Sequence, residues 1–143
     1  MAFVKIWIHA VWGTKNREPV LEKGILESVC DHIKENGKLK GIFIECINGY
    51  SDHLHCLMLL NADTSISKQM QLIKGESSFW INKNKIIKRQ FEWADEYFAV
   101  SVSESMLDKV RVYIDTQGEH HKKITFIQEC EDFIAKYKFA SHG

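Results

Sequence analysis

Two runs rich in apolar and β-branched side chains, Ile42 to Ile47 and His53 to Leu60, are joined by Asn48-Gly49-Tyr50-Ser51-Asp52, a linker with turn chemistry. They pair most simply as an antiparallel hairpin, and the flanking segments arrange themselves around it. Upstream, Phe3 to Trp12 alternates: Val4, Ile6, Ile8 and Ala10 share one face, while Lys5, Trp7 and His9 share the other, which is the pattern of a strand. After the polar loop from Gly13 to Pro19, apolar positions recur at Leu21, Ile25, Leu26, Val29 and Ile33, predicting a helix with Gly37 as its stop. Downstream, Ile66, Met70, Ile73, Ser77, Trp80 and Ile81 have helical period, with Thr64 or Ser65 available as the cap. Tyr97 to Val102 reads as another strand, and Ser103 is placed to cap a helix through Met106, Leu107, Val110 and Ile114. A final amphipathic helix, Thr125 to Tyr137, starts with Thr125 and Gln128 at capping-box spacing and presents Phe126, Cys130, Phe133, Ile134 and Tyr137. The order strand, helix, strand, strand, helix, strand predicts an α+β, ferredoxin-like split βαβ fold: an antiparallel sheet with helices on one face and extra C-terminal helices, one domain over residues 1–143.

With 45% hydrophobic residues and a single proline, the composition is globular and excludes a disordered or collagen-like chain. The four cysteines, Cys30, Cys46, Cys56 and Cys130, form no Cys-x-x-Cys pair, which argues against a zinc knuckle or redox dithiol and for buried reduced thiols. No signal peptide or membrane span is read at the N-terminus, so a cytoplasmic protein is expected. Nineteen basic residues balance nineteen acidic ones, but unevenly along the chain. Residues 61–91 carry six basic against two acidic, and residues 92–143 six basic against ten acidic. The basic stretch is either an ordinary solvated helix face or a surface for phosphate.

Candidate chemistry begins at His53-Leu54-His55. Side chains on a strand alternate, so both imidazoles project from one face and could be metal ligands, while Cys56 points away. Alone, the pattern more often marks packed core histidines than a metal site, and a third ligand is needed. Tyr113 and Gln117 are four apart on a predicted helix and share its surface; taken alone they read as a half-buried tyrosine and a surface glutamine.

Together with Asp52-His53-Leu54-His55, the blocks Lys74-Gly75-Glu76-Ser77-Ser78, Phe98-Ala99-Val100-Ser101-Val102-Ser103 and Val112-Tyr113-Ile114-x-x-Gln117-x-x-His120-His121 resemble the single-tyrosine HUH transposases of small bacterial insertion sequences, the IS200-like family. The run from His9 to Arg17 resembles that family's opening strand and loop. The resemblance implies a single-stranded DNA transposase that recognises hairpins at the ends of its element. In it His53, His55 and Gln117 bind a divalent ion, Mg²⁺ or Mn²⁺, and Tyr113 is the nucleophile. It also implies a homodimer in which the tyrosine helix of one subunit completes the histidine pair of the other. Polar residues from Asp115 to Lys123, with Gly118 among them, offer a place for that helix to shift or end.

A tyrosine with the usual pKa of about 10 is almost wholly protonated at neutral pH, so Tyr113 needs activation, and His120 is the candidate for proton transfer. Lys74, Lys83, Lys85, Lys88 and Arg89 are candidate phosphate contacts, with Lys15 and Arg17 secondary to them. Of the four tryptophans, Trp7, Trp12, Trp80 and Trp93, at least half are expected to be packed in the core. The rival readings are a related HUH nickase, a domesticated processor of palindromes, and a non-catalytic ferredoxin-like module that binds nucleic acid.

Overall fold

A computed structural model of the chain describes residues 2–137. Strand β1 (Trp7–Gly13), helix α1 (Lys23–Leu39), the hairpin β2 (Ile44–Tyr50) and β3 (His53–Leu59), helix α2 (Ile66–Lys83) and strand β4 (Phe98–Val102) follow in the predicted order. The sheet runs β2-β3-β1-β4 with every pairing antiparallel, which is the ferredoxin-like arrangement.

The alternation of β1 and β3 divides the core in two. Ile8, Ala10, Trp12, Leu54, Cys56 and Met58 point to the face covered by α1 and α2, where Val29, Ile33, Met70, Ile73 and Ile81 meet them. Trp7 and Leu57 point the other way and pack on Leu107 and Ile114 of helix α3 (Leu107–Asp115). After α3 come the short α4 (Gln117–His120) and α5 (Phe126–Tyr137). These C-terminal helices close over the second face, so both sides of the sheet are covered and polar groups there are sealed from water.

Several boundaries differ from the sequence reading. Strand β1 begins at Trp7, and Phe3 and Val4 before it are exposed. Helix α1 runs through Gly37 and stops instead at Gly41, whose φ of +74° is the left-handed conformation a glycine adopts without a steric penalty. Strand β2 extends to Tyr50, leaving Ser51 and Asp52 as the turn. Ser65 caps α2, its side chain accepting from Lys68 N–H. Ser103 makes no side-chain cap and heads a short 3₁₀ turn, Glu104–Met106, before α3. At α5 the capping box forms in both directions: Thr125 N–H donates to Gln128 Oε1 at 3.0 Å, and Gln128 N–H to Thr125 Oγ1 at 3.2 Å. All four cysteines are free; Cys30 and Cys56 are buried, whereas Cys46 and Cys130 are only half-buried. Trp7, Trp12 and Trp93 are core residues, and Trp80 is half-buried, stacked on His32.

Candidate active site

Strand β3 lies between β1 and β2, and its period places His53 and His55 side by side beneath α3 to α5, both fully buried. Each imidazole is oriented by its outer nitrogen. His53 Nδ1 meets the Asp52 carboxylate at 2.8 Å, and His55 Nδ1 meets His9 Nε2 at 2.9 Å. The phenyl ring of Phe126 stacks on the imidazole of His53 with centroids 4.1 Å apart and planes only 2° from parallel.

The tyrosine comes from α3. Leu107 and Ile114 anchor this helix in the core, and Asn48 of β2 donates from Nδ2 to the carbonyls of Ile114 (3.1 Å) and Asp115 (3.3 Å) at its C-terminal end. The helix breaks at Thr116, with φ −104° and ψ 27°, within the polar stretch where an end was expected. The break does not separate Gln117 from Tyr113, because the Gln117 amide still donates to the Tyr113 carbonyl at 3.0 Å. Gln117 is wholly buried, and its Oε1 lies 3.3 Å from His53 Nε2 and 3.1 Å from His121 Nε2.

Between these groups sits Glu129 of α5, only 2% exposed. Its Oε1 is 2.9 Å from His55 Nε2 and 3.4 Å from His53 Nε2. Its Oε2 accepts from the Tyr113 hydroxyl and lies 3.0 Å from His120 Nε2 and 3.5 Å from His121 Nε2. His120 Nε2 is also 3.2 Å from the Tyr113 hydroxyl. Residues 53, 55, 113, 117 and 120 thus converge within one chain. Among the described residues, His53, His55, His121 and Glu129 offer ligand atoms within 4.8 Å of one another, a group that could hold a metal ion.

Burial dominates the electrostatics. It pushes His9 down to about 3 and, despite Glu129, His55 down to about 4, so both rings are neutral at physiological pH. Burial opposes charge on His53 too, but the carboxylates of Asp52 and Glu129 outweigh it and raise the net value. Glu129 is pushed up by burial, yet the imidazoles of His121, His53 and His55 hold it far below the usual carboxylate range. Tyr113 is raised above the ordinary phenol value by burial first and by the adjoining Glu129 charge second.

The basic candidates lie elsewhere. Lys83 is in the last turn of α2, the helix on the face of the sheet opposite His53, and Lys85, Lys88 and Arg89 follow it, Arg89 lining a cleft with Thr14 and Lys15 of the loop after β1. Lys74 Nζ donates to the carbonyls of Ala94 (2.7 Å) and Asp95 (3.0 Å), tying α2 to the segment before β4. Lys15 pairs with Glu92 at 2.7 Å, and Arg89 pairs with Glu18. Lys15 and Arg17 line a cleft of about 490 Å³ that also includes Phe126, and so border the histidine cluster.

The sequence reading passed over His9, His121 and Glu129. Glu129 carried a signal: it falls between Phe126 and Phe133 on the inward stripe of α5, and an acid on an apolar stripe needs a buried partner. Adjacent helix positions diverge, and that divergence sends His120 to Tyr113 and His121 to Gln117.

A ferredoxin-like sheet carrying buried imidazoles, a carboxylate and a tyrosine beneath C-terminal helices defines the class: a small α+β domain built around one polar centre capable of holding an ion. Residues 2–117 match the family model described as "Transposase IS200 like", and the chain belongs to that family. No curated protein matches it significantly. Among solved structures, a chain from Deinococcus radiodurans R1 described as a transposase is similar at 21% identity and a TM-score of 0.65, covering 81% of this chain and 93% of that one. A REP-associated tyrosine transposase bound to a REP hairpin is similar at 17% identity and a TM-score of 0.56, covering 87% of this chain and 73% of that one. At these identities the likeness is one of fold. No described helix is long and apolar enough to cross a membrane.

Proposed function

We propose that the chain is a metal-dependent single-stranded DNA transposase that cleaves and rejoins insertion-sequence ends through a tyrosine-linked 5′ phosphate and recognises DNA hairpins there. The observation that carries this reading is the shared carboxylate: Glu129 faces the two imidazoles of β3 through one oxygen and the Tyr113 hydroxyl through the other. Membership of the IS200-like family supports it, as does a structural relative bound to a hairpin.

The donors fit a divalent ion, being buried imidazole nitrogens and an amide oxygen whose other atoms are already engaged. His53, His55 and Gln117 would hold Mg²⁺ or Mn²⁺, which when bound supplies Lewis-acid polarisation of a phosphate oxygen. The remaining work falls to the chain. Tyr113 Oη forms the bond to phosphorus while the bond from phosphorus to the 3′ oxygen breaks. The phenolic proton passes to one of the two groups already in contact with it, His120 Nε2 or Glu129 Oε2, and the departing oxygen takes up a proton to become a 3′ hydroxyl. One phosphodiester replaces another, so rejoining requires no ATP. The raised Tyr113 value makes such an acceptor necessary, since the phenol does not ionise unaided at neutral pH.

Labelled single-stranded oligonucleotides from the flanking DNA, incubated with the protein and Mn²⁺ and run on a denaturing gel, test the reading. A protein-linked label is expected from the wild type, none from Tyr113→Phe, and loss of metal-stimulated cleavage from His53→Ala, with hairpin binding intact in both variants. An adduct persisting in Tyr113→Phe rules out the nucleophile, and stoichiometric binding without cleavage by the wild type makes the chain a binding module.

A further inference from the structure

His121 and Glu129 lie beyond residue 117, where the family match ends, yet both reach into the centre. Their hydrogen-bond partners determine where the protons sit. His53 Nδ1 faces the carboxylate of Asp52, which only accepts, and His121 Nδ1 faces the Ile124 carbonyl at 2.9 Å, which also only accepts. Both Nδ1 atoms therefore carry hydrogen, and in the neutral rings both Nε2 atoms present lone pairs. The Gln117 amide nitrogen is committed to the Tyr113 carbonyl, so Oε1 is the atom it turns inward.

In that neutral tautomer His53 Nε2, His121 Nε2, Gln117 Oε1 and the Glu129 carboxylate turn lone pairs toward one another. His53 Nε2 and His121 Nε2 lie 3.3 and 3.1 Å from Gln117 Oε1, and Glu129 Oε1 lies 2.9 Å from His55 Nε2 and 3.4 Å from His53 Nε2. Facing acceptors repel unless a proton or a metal ion lies among them. The spacing is also that of a coordination shell, because two donors each about 2.1 Å from a common ion are separated by about 3.0 Å at octahedral and 3.4 Å at tetrahedral angles.

We propose that Glu129 and His121 are inner ligands of the ion centre alongside His53, His55 and Gln117, and that Glu129 bridges ion and nucleophile, one carboxylate oxygen on the ion and the other on the Tyr113 hydroxyl. This rests on the metal-centre reading above and adds a chemical class to it. Three imidazoles, an amide oxygen and one carboxylate make a nitrogen-rich, singly anionic set that suits Mn²⁺ or Zn²⁺ better than the oxygen-demanding Mg²⁺. Gln117 and Glu129 also explain each other: the amide adds no charge to a shell in which a single carboxylate is held by the imidazoles.

The test is Mn²⁺ binding to full-length, chelator-stripped protein, read by isothermal titration and by the Mn²⁺-dependent rise in melting temperature, with no DNA present. Glu129→Gln and His121→Ala are each expected to weaken Mn²⁺ binding by at least about 10-fold. Both should also shrink the melting shift, which follows the ratio of free metal to Kd even in a destabilised variant. The wild type is expected to bind Mn²⁺ more tightly than Mg²⁺. His53→Ala is the control for the underlying reading. If it loses Mn²⁺ while Glu129→Gln and His121→Ala keep wild-type affinity, the added ligands are wrong and the smaller set stands. If His53→Ala also binds as wild type does, the metal centre itself is refuted. Should Glu129→Gln not fold, Glu129→Asp keeps the charge but draws it back by one methylene, and wild-type affinity in that variant overturns the bridging role.

Discussion

Gly13, the last residue of β1, lets Phe126 stand against His53, and replacing it by alanine tests that packing in isolation. A Cβ at Gly13 would meet Phe126 Cε2 at 2.6 Å and Cζ at 3.3 Å, as well as the Asp52 carbonyl at 3.3 Å. Ordinary carbon contacts lie near 3.5–4.0 Å, so the ring has to retreat by about 1 Å. That movement breaks its stack on His53 and pulls on the first turn of α5, from which Glu129 projects. Overpacking of this size costs about 1–3 kcal/mol. Phe126→Leu removes both ring atoms of the clash, so Gly13→Ala in that background should cost at least about 1 kcal/mol less. It approaches neutrality there, since alanine narrows the unfolded ensemble by about 0.4–1 kcal/mol while the Asp52 carbonyl still crowds the new methyl. Urea unfolding of the wild type, both single variants and the double variant, followed by circular dichroism, gives the coupling directly. Additivity within about 0.5 kcal/mol would refute the contact.

Four further outcomes follow from the same geometry. Asn48→Ala removes two donors from the end of α3 and should cost about 1–2 kcal/mol by urea unfolding, with a larger proportional loss of DNA adduct, because the freed carbonyls adjoin Tyr113; an unchanged adduct yield counts against Asn48 as the anchor of the nucleophile. Mixing Tyr113→Phe with His53→Ala should give no adduct if each chain completes its own site, as its contacts allow, whereas recovered adduct shows that α3 to α5 are exchanged between subunits. Burial pushes the Cys30 thiol up to about 12 and the Cys46 thiol to about 11, and Cys56 is sealed, so at pH 8 these thiols stay protonated and should alkylate at least about 100-fold more slowly in the native protein than in urea. Among the described residues Arg17, Lys83, Lys85 and Lys88 carry no ion pair, so the logarithmic salt dependence of single-strand binding should have a slope of about −3, and a slope near −5 means that Lys15, Lys74 and Arg89 leave their partners to bind phosphate.

The order of strands and helices was legible because each element carries its own period, and the shared face of His53 and His55 follows from alternation within a single strand. Partners supplied by long-range register were not. His9 was assigned to its own face of β1, but that this is the face of His55 depends on β1 pairing with β3 so that Val11 opposes His55 and His9 opposes Leu57, which nothing local encodes. The halt of α1 at Gly41 and not at Gly37 is likewise decided by tertiary packing, since a glycine inside a helix costs only about 1 kcal/mol, an amount that burying neighbours such as Ile33 recovers. Glu129 was readable in principle from the stripe it interrupts, but its partners come from β3, α3 and α4, and only the fold brings them together.

The neutral net charge conceals a division that the fold makes spatial. The basic excess of residues 61–91 lies on and after α2, while the acidic excess of the last third comes from Glu92, Asp95, Glu96 and Glu104, which precede α3. The helices that cover the histidines are balanced on their outer surface, with Asp108, Asp115, Glu119, Glu131 and Asp132 matched by Lys109, Arg111, Lys122, Lys123 and Lys136, and phosphate held by α2 is separated from His53 by the sheet. Around the Gly13 end of β1, Lys15 and Arg17 line the cleft beside Phe126 together with Asp95 and Glu96, so the two signs meet where the sheet gives access to His53. Arg17 carries no ion pair among the described residues, while Lys15 must first give up Glu92, an exposed pair worth at most about 1 kcal/mol, so replacing Arg17 should weaken single-strand binding more than replacing Lys15, and equal losses would show that the Lys15 pair opens freely.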